Sequence, residues 1–403
     1  MSQEPTELKD ILSEHQLFCA RFSSCGTFLF AGSMDGGVRR WVLEKKAEPA
    51  PEAPSVPAPA DALSDVLADP TAPPSKPAPK APAVAATQGA QAKKPAAKPV
   101  SPWELNPLPP FEGFNGWVQT LGLHPVQNRM FAADSWGKIA CAEYGADPAN
   151  KLWEKTGAHD GWIRRLSVSP DGSLLATCGL DGFVRIWNSA DGSPVSAFDA
   201  GADVFALSFT PDGARVVFGD MFGKIAVLDF KAAKVLRTLD GAVLHKLDRL
   251  QDIGGLRALA FSKDGKKLVA AGLLPKNGGT VQGNPMLLYF DFESGKLDQQ
   301  FTHGEVKDGY IEDIALTPGG QVIAVASGIP GNGLFFFHSL GEKAPSFVSN
   351  KLANCISVAL HPGGRHFVVT STNKASAGNG RRLTKDGEYL GNNSPVHLFE
   401  IPA

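Results

Sequence analysis

A short turn signature recurs along this chain, and no other feature restricts its fold as tightly. Ser169-Pro170-Asp171-Gly172, Thr210-Pro211-Asp212-Gly213, Ser262-Lys263-Asp264-Gly265, Thr317-Pro318-Gly319-Gly320 and His361-Pro362-Gly363-Gly364 carry it. Ser23-Ser24-Cys25-Gly26 and His124-Pro125 hold the same place in weaker copies. Proline fixes φ early in such a turn, and glycine accepts the positive φ that closes it. Short segments of strand character flank each turn. From His159 to Trp187 they read "IRRLSVS", "SLLATCG" and "FVRIW", joined by "PDG" and "LDG": a β-meander. Apart from one long gap after the first copy, the copies lie roughly 40 to 55 residues apart, the period of a four-stranded propeller blade. Seven copies predict seven blades.

The copies resemble WD repeats, the third best of all. His159 sits where that family places the histidine of its Gly-His pair, with Ala158 in place of the glycine. Asp181 occupies the turn position and Trp187 ends the third strand, with Asn188 for the final aspartate. The first copy keeps His15, Asp35, Gly36 and Trp41; the fourth keeps Asp229 but has Leu228 for the tryptophan. The resemblance covers nearly the whole chain outside one insert. It implies an all-β fold, a seven-bladed β-propeller of four-stranded antiparallel blades. It also implies that His159, Thr177, Asp181 and Trp187 form a structural hydrogen-bonded tetrad rather than a catalytic triad. On function it is nearly silent, because one fold serves many tasks.

A propeller must close on itself to remove its exposed strand edges. "ELKDILS" near the N-terminus matches the strands that precede later repeats, and "PVHLFEI" ends the last copy. The simplest closure pairs the two. A short helix over residues 5–14 is the rival, since ELKDIL also suits a helix.

Three regions follow: 1–45 as closing strand and first blade, 46–110 as an insert, and 111–403 as blades 2–7. The insert is dominated by Pro and Ala and holds about half of the chain's 31 prolines. It buries too little apolar surface to offset its ordering entropy and is expected to be disordered. Lys76, Lys80, Lys93, Lys94 and Lys98 stand in it, with no acidic residue from Pro70 to Pro102. It reads as a solubilised linker, or as a tether for nucleic acid or an acidic partner. Two longer connections, Pro275–Pro285 and Ser371–Ser394, read as loops between second and third strands and should leave one face together.

The formal net charge of −2 supplies no general attraction to nucleic acid or anionic membrane. Neither a signal-peptide pattern nor a membrane-length apolar run is present, so a cytoplasmic setting is expected. The five cysteines lack metal-ligand spacing and read as reduced; the nine histidines show no HxxxH or HxH pattern. No cofactor motif appears. A channel metal held by several blades leaves no local motif, and Asp203, Glu312 and Asp313 are its conceivable ligands.

Aligning the copies exposes one more column. The position before each first strand holds Trp117 and Trp162 on adjacent blades and Tyr310 on a later one. Two positions on stand Arg164 and Arg257, with Arg165 beside the first. Aromatic and arginine side chains are enriched at binding hot spots. The expectation is a non-enzymatic scaffold, a monomer or a subunit of a larger complex, that binds a protein or peptide through the narrow face. A propeller hydrolase or lactonase with a channel metal is the alternative, and binding of nucleic acid through the insert a third.

Overall fold

The computed structural model describes residues 4–45, 103–248, 250–276, 283–329, 331–372 and 393–402, with the backbone of 382–383 and 389–390. Among them are seven four-stranded antiparallel sheets, the seven blades of a propeller. The inner strands of blades 1 to 4 are Leu17–Phe22, Val118–Leu123, Ile163–Val168 and Val204–Phe209. Those of blades 5 to 7 are Leu256–Phe261, Tyr310–Leu316 and Ala353–Leu360. Blade 3 shows the common plan. After its inner strand come Leu174–Gly179, Phe183–Asn188 and the outer Pro194–Asp199. All but the first residue of the second strand are buried, whereas the outer strand exposes alternate side chains. A strand enclosed on both faces must be apolar throughout, which is why "LLATCG" shows no alternation.

The core lies between blades. Phe335 and Phe337 of blade 6 pack with Phe367 and Phe399 of blade 7. Each buried ring contributes about 1.5–3 kcal/mol of burial free energy. The recurrent turn also serves this packing. Gly172, at φ +78°, abuts the His124 ring of the preceding blade, and a Cβ there would come within 2.3 Å of it. Gly26 and His361 repeat the contact between blades 1 and 7.

Closure occurs as the pattern implies. Thr6–Ser13 pairs antiparallel with Ser394–Glu400 and becomes the outer strand of blade 7. Leu8 enters a core containing Leu17, Trp41, Val396 and Leu398. Helix propensity is overridden because a helix would leave the Ser394–Glu400 edge unpaired, so the rival helix over 5–14 is not formed.

The blade boundary differs from 110. Trp103–Phe111 is the outer strand of blade 1, paired with Val38–Lys45. Pro107, Pro109 and Pro110 are tolerated because this strand has only one neighbour and needs few of its own N–H donors. Arg40, fully buried, donates to the carbonyls of Pro109, Tyr144 and Ala146 at 2.7, 3.2 and 3.0 Å, and so fastens this strand to blade 2. The rest of the insert, 46–102, lies outside the described residues. The connection expected from Pro275 to Pro285 is shorter, because strand pairing continues to Pro275 opposite Gly283. Its tip, and nearly all of the connection after Thr372, lie outside the described residues.

Candidate functional site

In an antiparallel meander, the connections entering the inner strand and the turns between second and third strands leave the same end. Here they are bonded together. The N–H of Ser135 donates to Trp117 O at 2.9 Å, and that of Leu180 to Trp162 O at 3.1 Å. Met34 with Gln16 and Met221 with Asp203 repeat the bond. This end is the narrow face of the sequence reading.

Each inner strand from blade 1 to blade 6 carries a one-residue register shift at one position. The residues inside the shifts are Phe18, Gln119, Arg164, Phe205, Arg257 and Glu312. A bulge breaks the alternation and re-aims its side chain. All six are half-buried, and several meet across blade boundaries. The Arg164 guanidinium lies 4.4 Å from the Trp162 ring and 5.1 Å from Phe205. Arg257 lies 4.4 Å from the same Phe205 ring and 4.3 Å from Tyr310. Trp162 meets Trp117 edge to face at 5.4 Å, and Trp117 stacks on Phe18 at 5.3 Å. The result is an unbroken aromatic and arginine arc over blades 1 to 6.

The six residues singled out as partner-binding occupy different places. Trp117, Trp162, Arg164 and Arg257 are half-buried members of the arc. Tyr310 is only 8% exposed. Its hydroxyl accepts from Gly254 N–H at 3.1 Å and donates to Gly254 O at 3.3 Å, so it is a platform beneath Arg257. Arg165 turns into the channel, where it donates to the carbonyls of Arg257 and Glu312 at 3.0 and 2.6 Å. It also stands 3.7 Å from Asp313, which accepts from Arg21 at 3.2 Å and Ser357 at 2.8 Å. This polar plug braces blades 1, 3, 5, 6 and 7.

The imagined carboxylate cluster of Asp203, Glu312 and Asp313 is not assembled. Among the described residues no group of three or more His, Cys, Asp or Glu side chains is placed to hold a metal. Asp313 faces guanidinium groups. Burial would raise its pKa, but Arg21 and Arg165 outweigh that and hold it below the usual carboxylate range. Burial pushes Glu312 up, against the pull of Arg257, Arg165 and Arg164.

Sequence reading missed part of the face. In blades 2 and 4 the carboxylate of the Asp181 position stands two residues earlier. Asp134 Oδ1 accepts from the N–H groups of Trp136 and Lys138 at 3.0 and 2.9 Å; Asp220 does the same for Phe222 and Lys224. That shift frees the turn tip for an aromatic, and Trp136 is 68% and Phe222 42% exposed. The shared Asp-x-aromatic-Gly-Lys-Ile-Ala pattern was the available signal. Leu247, Leu250, Val306 and Ile329 are further exposed apolar residues on connections of this face. On the connections of the opposite face, among the described residues, the exposed large apolar side chains are Val126 and Leu340.

Two sets of residues have the composition of a hydrolytic triad. In blade 3 the Trp187 indole N–H donates to Thr177 Oγ1 at 2.8 Å, and Thr177 in turn faces His159 Nε2 at 2.8 Å. His159 Nδ1 stands 2.9 Å from Asp181. In blade 7 Ser371 Oγ faces His397 Nε2 at 3.0 Å, and His397 Nδ1 faces Glu7 Oε1 at 2.8 Å. Thr177 is fully buried and Ser371 is 1% exposed, so neither hydroxyl is open to a substrate. Each set instead ties strands together, as a satisfied buried network does.

A family model described as "WD domain, G-beta repeat" matches residues 6–41 and 151–188. These segments contain the blade 1 turn and the blade 3 tetrad. The chain is a WD-repeat β-propeller. A 112-residue stretch is 32% identical to "Small ribosomal subunit protein RACK1y" of Oryza sativa subsp. japonica, covering 25% of this chain and 30% of that protein. A 163-residue stretch is 33% identical to "Cross-pathway control WD-repeat protein 2" of Flammulina velutipes, covering 38% and 48%. A third, of 128 residues, is 28% identical to "Periodic tryptophan protein 2" of Saccharomyces cerevisiae, covering 30% and 14%. In each case the match spans less than half of the relative's length. No helix among the described residues of this WD-repeat chain is long and apolar enough to cross a membrane.

Proposed function

We propose that the protein is a non-enzymatic scaffold that docks a protein segment on the narrow face of the propeller. The observation that carries this reading is the concentration of accessible apolar and aromatic surface at one end. Trp136, Phe222, Leu250 and Ile329 surround the arc containing Trp117, Trp162, Arg164 and Arg257. A rigid blade framework holds these connections, so little order is lost on binding. Exposed apolar patches on a soluble domain mark interaction sites. The relatives' printed names place one in the small ribosomal subunit, which fits a role within an assembly.

Affinity capture from native lysate tests this, with wild type beside the Trp162→Ala/Arg164→Ala variant and circular dichroism as the folding control. A partner retained by wild type and lost by the folded variant supports docking at the arc. Equal retention by both removes the arc from the binding surface.

A further inference from the structure

Arg164 and Arg257 lack the acceptors that the other channel arginines have. Arg21 and Arg165 donate to Asp313 or to carbonyls. Among the described residues, the guanidinium groups of Arg164 and Arg257 form neither a hydrogen bond nor an ion pair, and the Nε of each is buried without an acceptor. Their contacts are to rings: Trp162, Phe205 and Tyr310. A half-buried guanidinium without an acceptor is an expensive arrangement, which a docked anion relieves. Burial chiefly, and then the neighbouring Arg257, pull Arg164 down to about 10. Asp203 and Glu312 act on Arg164 from beyond ion-pair distance.

The charges also limit the kind of anion. Arg21, Arg164, Arg165 and Arg257 stand against Asp203, Glu312 and Asp313, an excess of one positive charge. One carboxylate matches that excess, whereas Asp203 and Glu312 repel a polyphosphate backbone. The surrounding tips, Trp136, Phe222 and Leu250, are apolar.

We propose that the channel mouth selects an acidic segment of a protein partner, seating one of its carboxylates at Arg164 and Arg257 while neighbouring apolar side chains pack on the exposed tips. This rests on narrow-face docking and adds the chemistry of the partner. Guanidinium and carboxylate match as planar, bidentate groups.

The test uses the full chain and fluorescence anisotropy with three labelled probes: a peptide alternating glutamate and leucine, one alternating lysine and leucine, and an oligothymidylate. The glutamate peptide is expected to bind tightest and to weaken with added salt. Arg164→Gln/Arg257→Gln should weaken it by about tenfold or more, the loss expected for charge-assisted bonds. A second variant replaces Lys76, Lys80, Lys93, Lys94 and Lys98 with Gln and should keep wild-type affinity, because the insert is not the site. Should the double variant fail to fold, Arg257→Lys, which keeps the charge but loses the planar fork, is expected to weaken binding by about threefold.

Preference for the lysine peptide or the oligothymidylate, loss of affinity in the insert variant, or unchanged affinity in the arginine variants overturns the proposal. If the glutamate peptide fails while the Trp162→Ala/Arg164→Ala variant still loses a captured partner, the face stands and the acidic class falls. If both fail, the face itself is wrong.

Discussion

Arg21 on the inner strand of blade 1 donates to the Asp313 carboxylate on the inner strand of blade 6 at 3.2 Å. The bond bridges the two blades that flank blade 7, and Arg165 of blade 3 joins it from farther round the ring. Asp313 is buried and also accepts from Ser357 and from the N–H of Val358. Asp313→Asn keeps the shape and removes the charge that answers two guanidinium groups. The expected cost is about 2–4 kcal/mol, toward the lower end because Arg21 keeps some solvent contact. Urea denaturation measures it, and an unchanged midpoint contradicts the bracing role.

The blade 3 tetrad predicts acid sensitivity. Burial lowers the His159 pKa from its ordinary 6.5, more than the Asp181 partner raises it. His159, Arg185 and the Phe183 N–H overcome the effect of burial on Asp181 and hold it well below the usual range. For both groups the folded pKa is lower than the unfolded one. The unfolded chain therefore binds more protons, and stability falls as pH drops. The His159 contribution should be lost from about pH 6.5 downward, and that of Asp181 at lower pH, below its ordinary 3.8. Thr177→Val removes the hydroxyl shared by His159 and Trp187 and should cost about 2–4 kcal/mol. Melting temperatures measured against pH, for wild type and Thr177→Val, check both statements.

Blade closure should depend on the set Ser371, His397 and Glu7, contributed by three strands. His397→Ala leaves buried Ser371 without this partner, at an expected cost of about 1–3 kcal/mol. Deleting residues 4–13 is harsher, since it bares the Ser394–Glu400 edge. Concentration-dependent aggregation in light scattering is the expected result; a stable, monodisperse product would show that the closing strand is dispensable.

The turn tips separate binding from stability. Trp136→Ser should change stability by no more than about 0.5 kcal/mol, because the ring is 68% exposed, whereas Phe222→Ser should cost about 1 kcal/mol, because Phe222 is 42% exposed and meets the His245 ring edge-on at 5.1 Å. Both should weaken partner capture. Destabilisation without loss of capture is the opposite outcome.

Thiol accessibility checks the packing. Cys25 is exposed, whereas Cys19, Cys141, Cys178 and Cys355 are buried, and burial pushes the last three of these up to about 12. A thiol reagent should label one cysteine in the native protein and all five after denaturation, with peptide mapping identifying Cys25. Rapid native labelling of Cys178 would contradict the blade 3 core.

The blade count was legible because most copies solve the same local problem: Gly26, Gly172, Gly213, Gly265 and Gly364, each at positive φ, lie against the preceding blade. The closing strand was legible because one edge needed one partner. Trp162 and Arg164 emerged from alignment because a propeller repeats its geometry at fixed offsets. Phe205 did not, since an isolated aromatic in an inner strand reads as core until the bulge turns it outward. Trp136 did not emerge either, because the two-residue shift of Asp134 that frees the turn tip shows its effect only in the hydrogen bonds. Nor could pairwise reading reveal Glu7 beside His397, which are 390 residues apart. Tyr310 looked like an exposed anchor, and only the bonds to Gly254 show it as a buried platform.

The central claim concerns one face, and a photo-crosslinking amino acid placed at position 136 tests it most directly, with position 126 on the opposite face as control. Both sites are highly exposed, at 68% and 83%. The account predicts that irradiation in native lysate yields a discrete adduct from 136, lost when Arg164 and Arg257 are changed to Gln, and none from 126. An adduct from 126 alone, or equal adducts from both, would contradict docking on the narrow face.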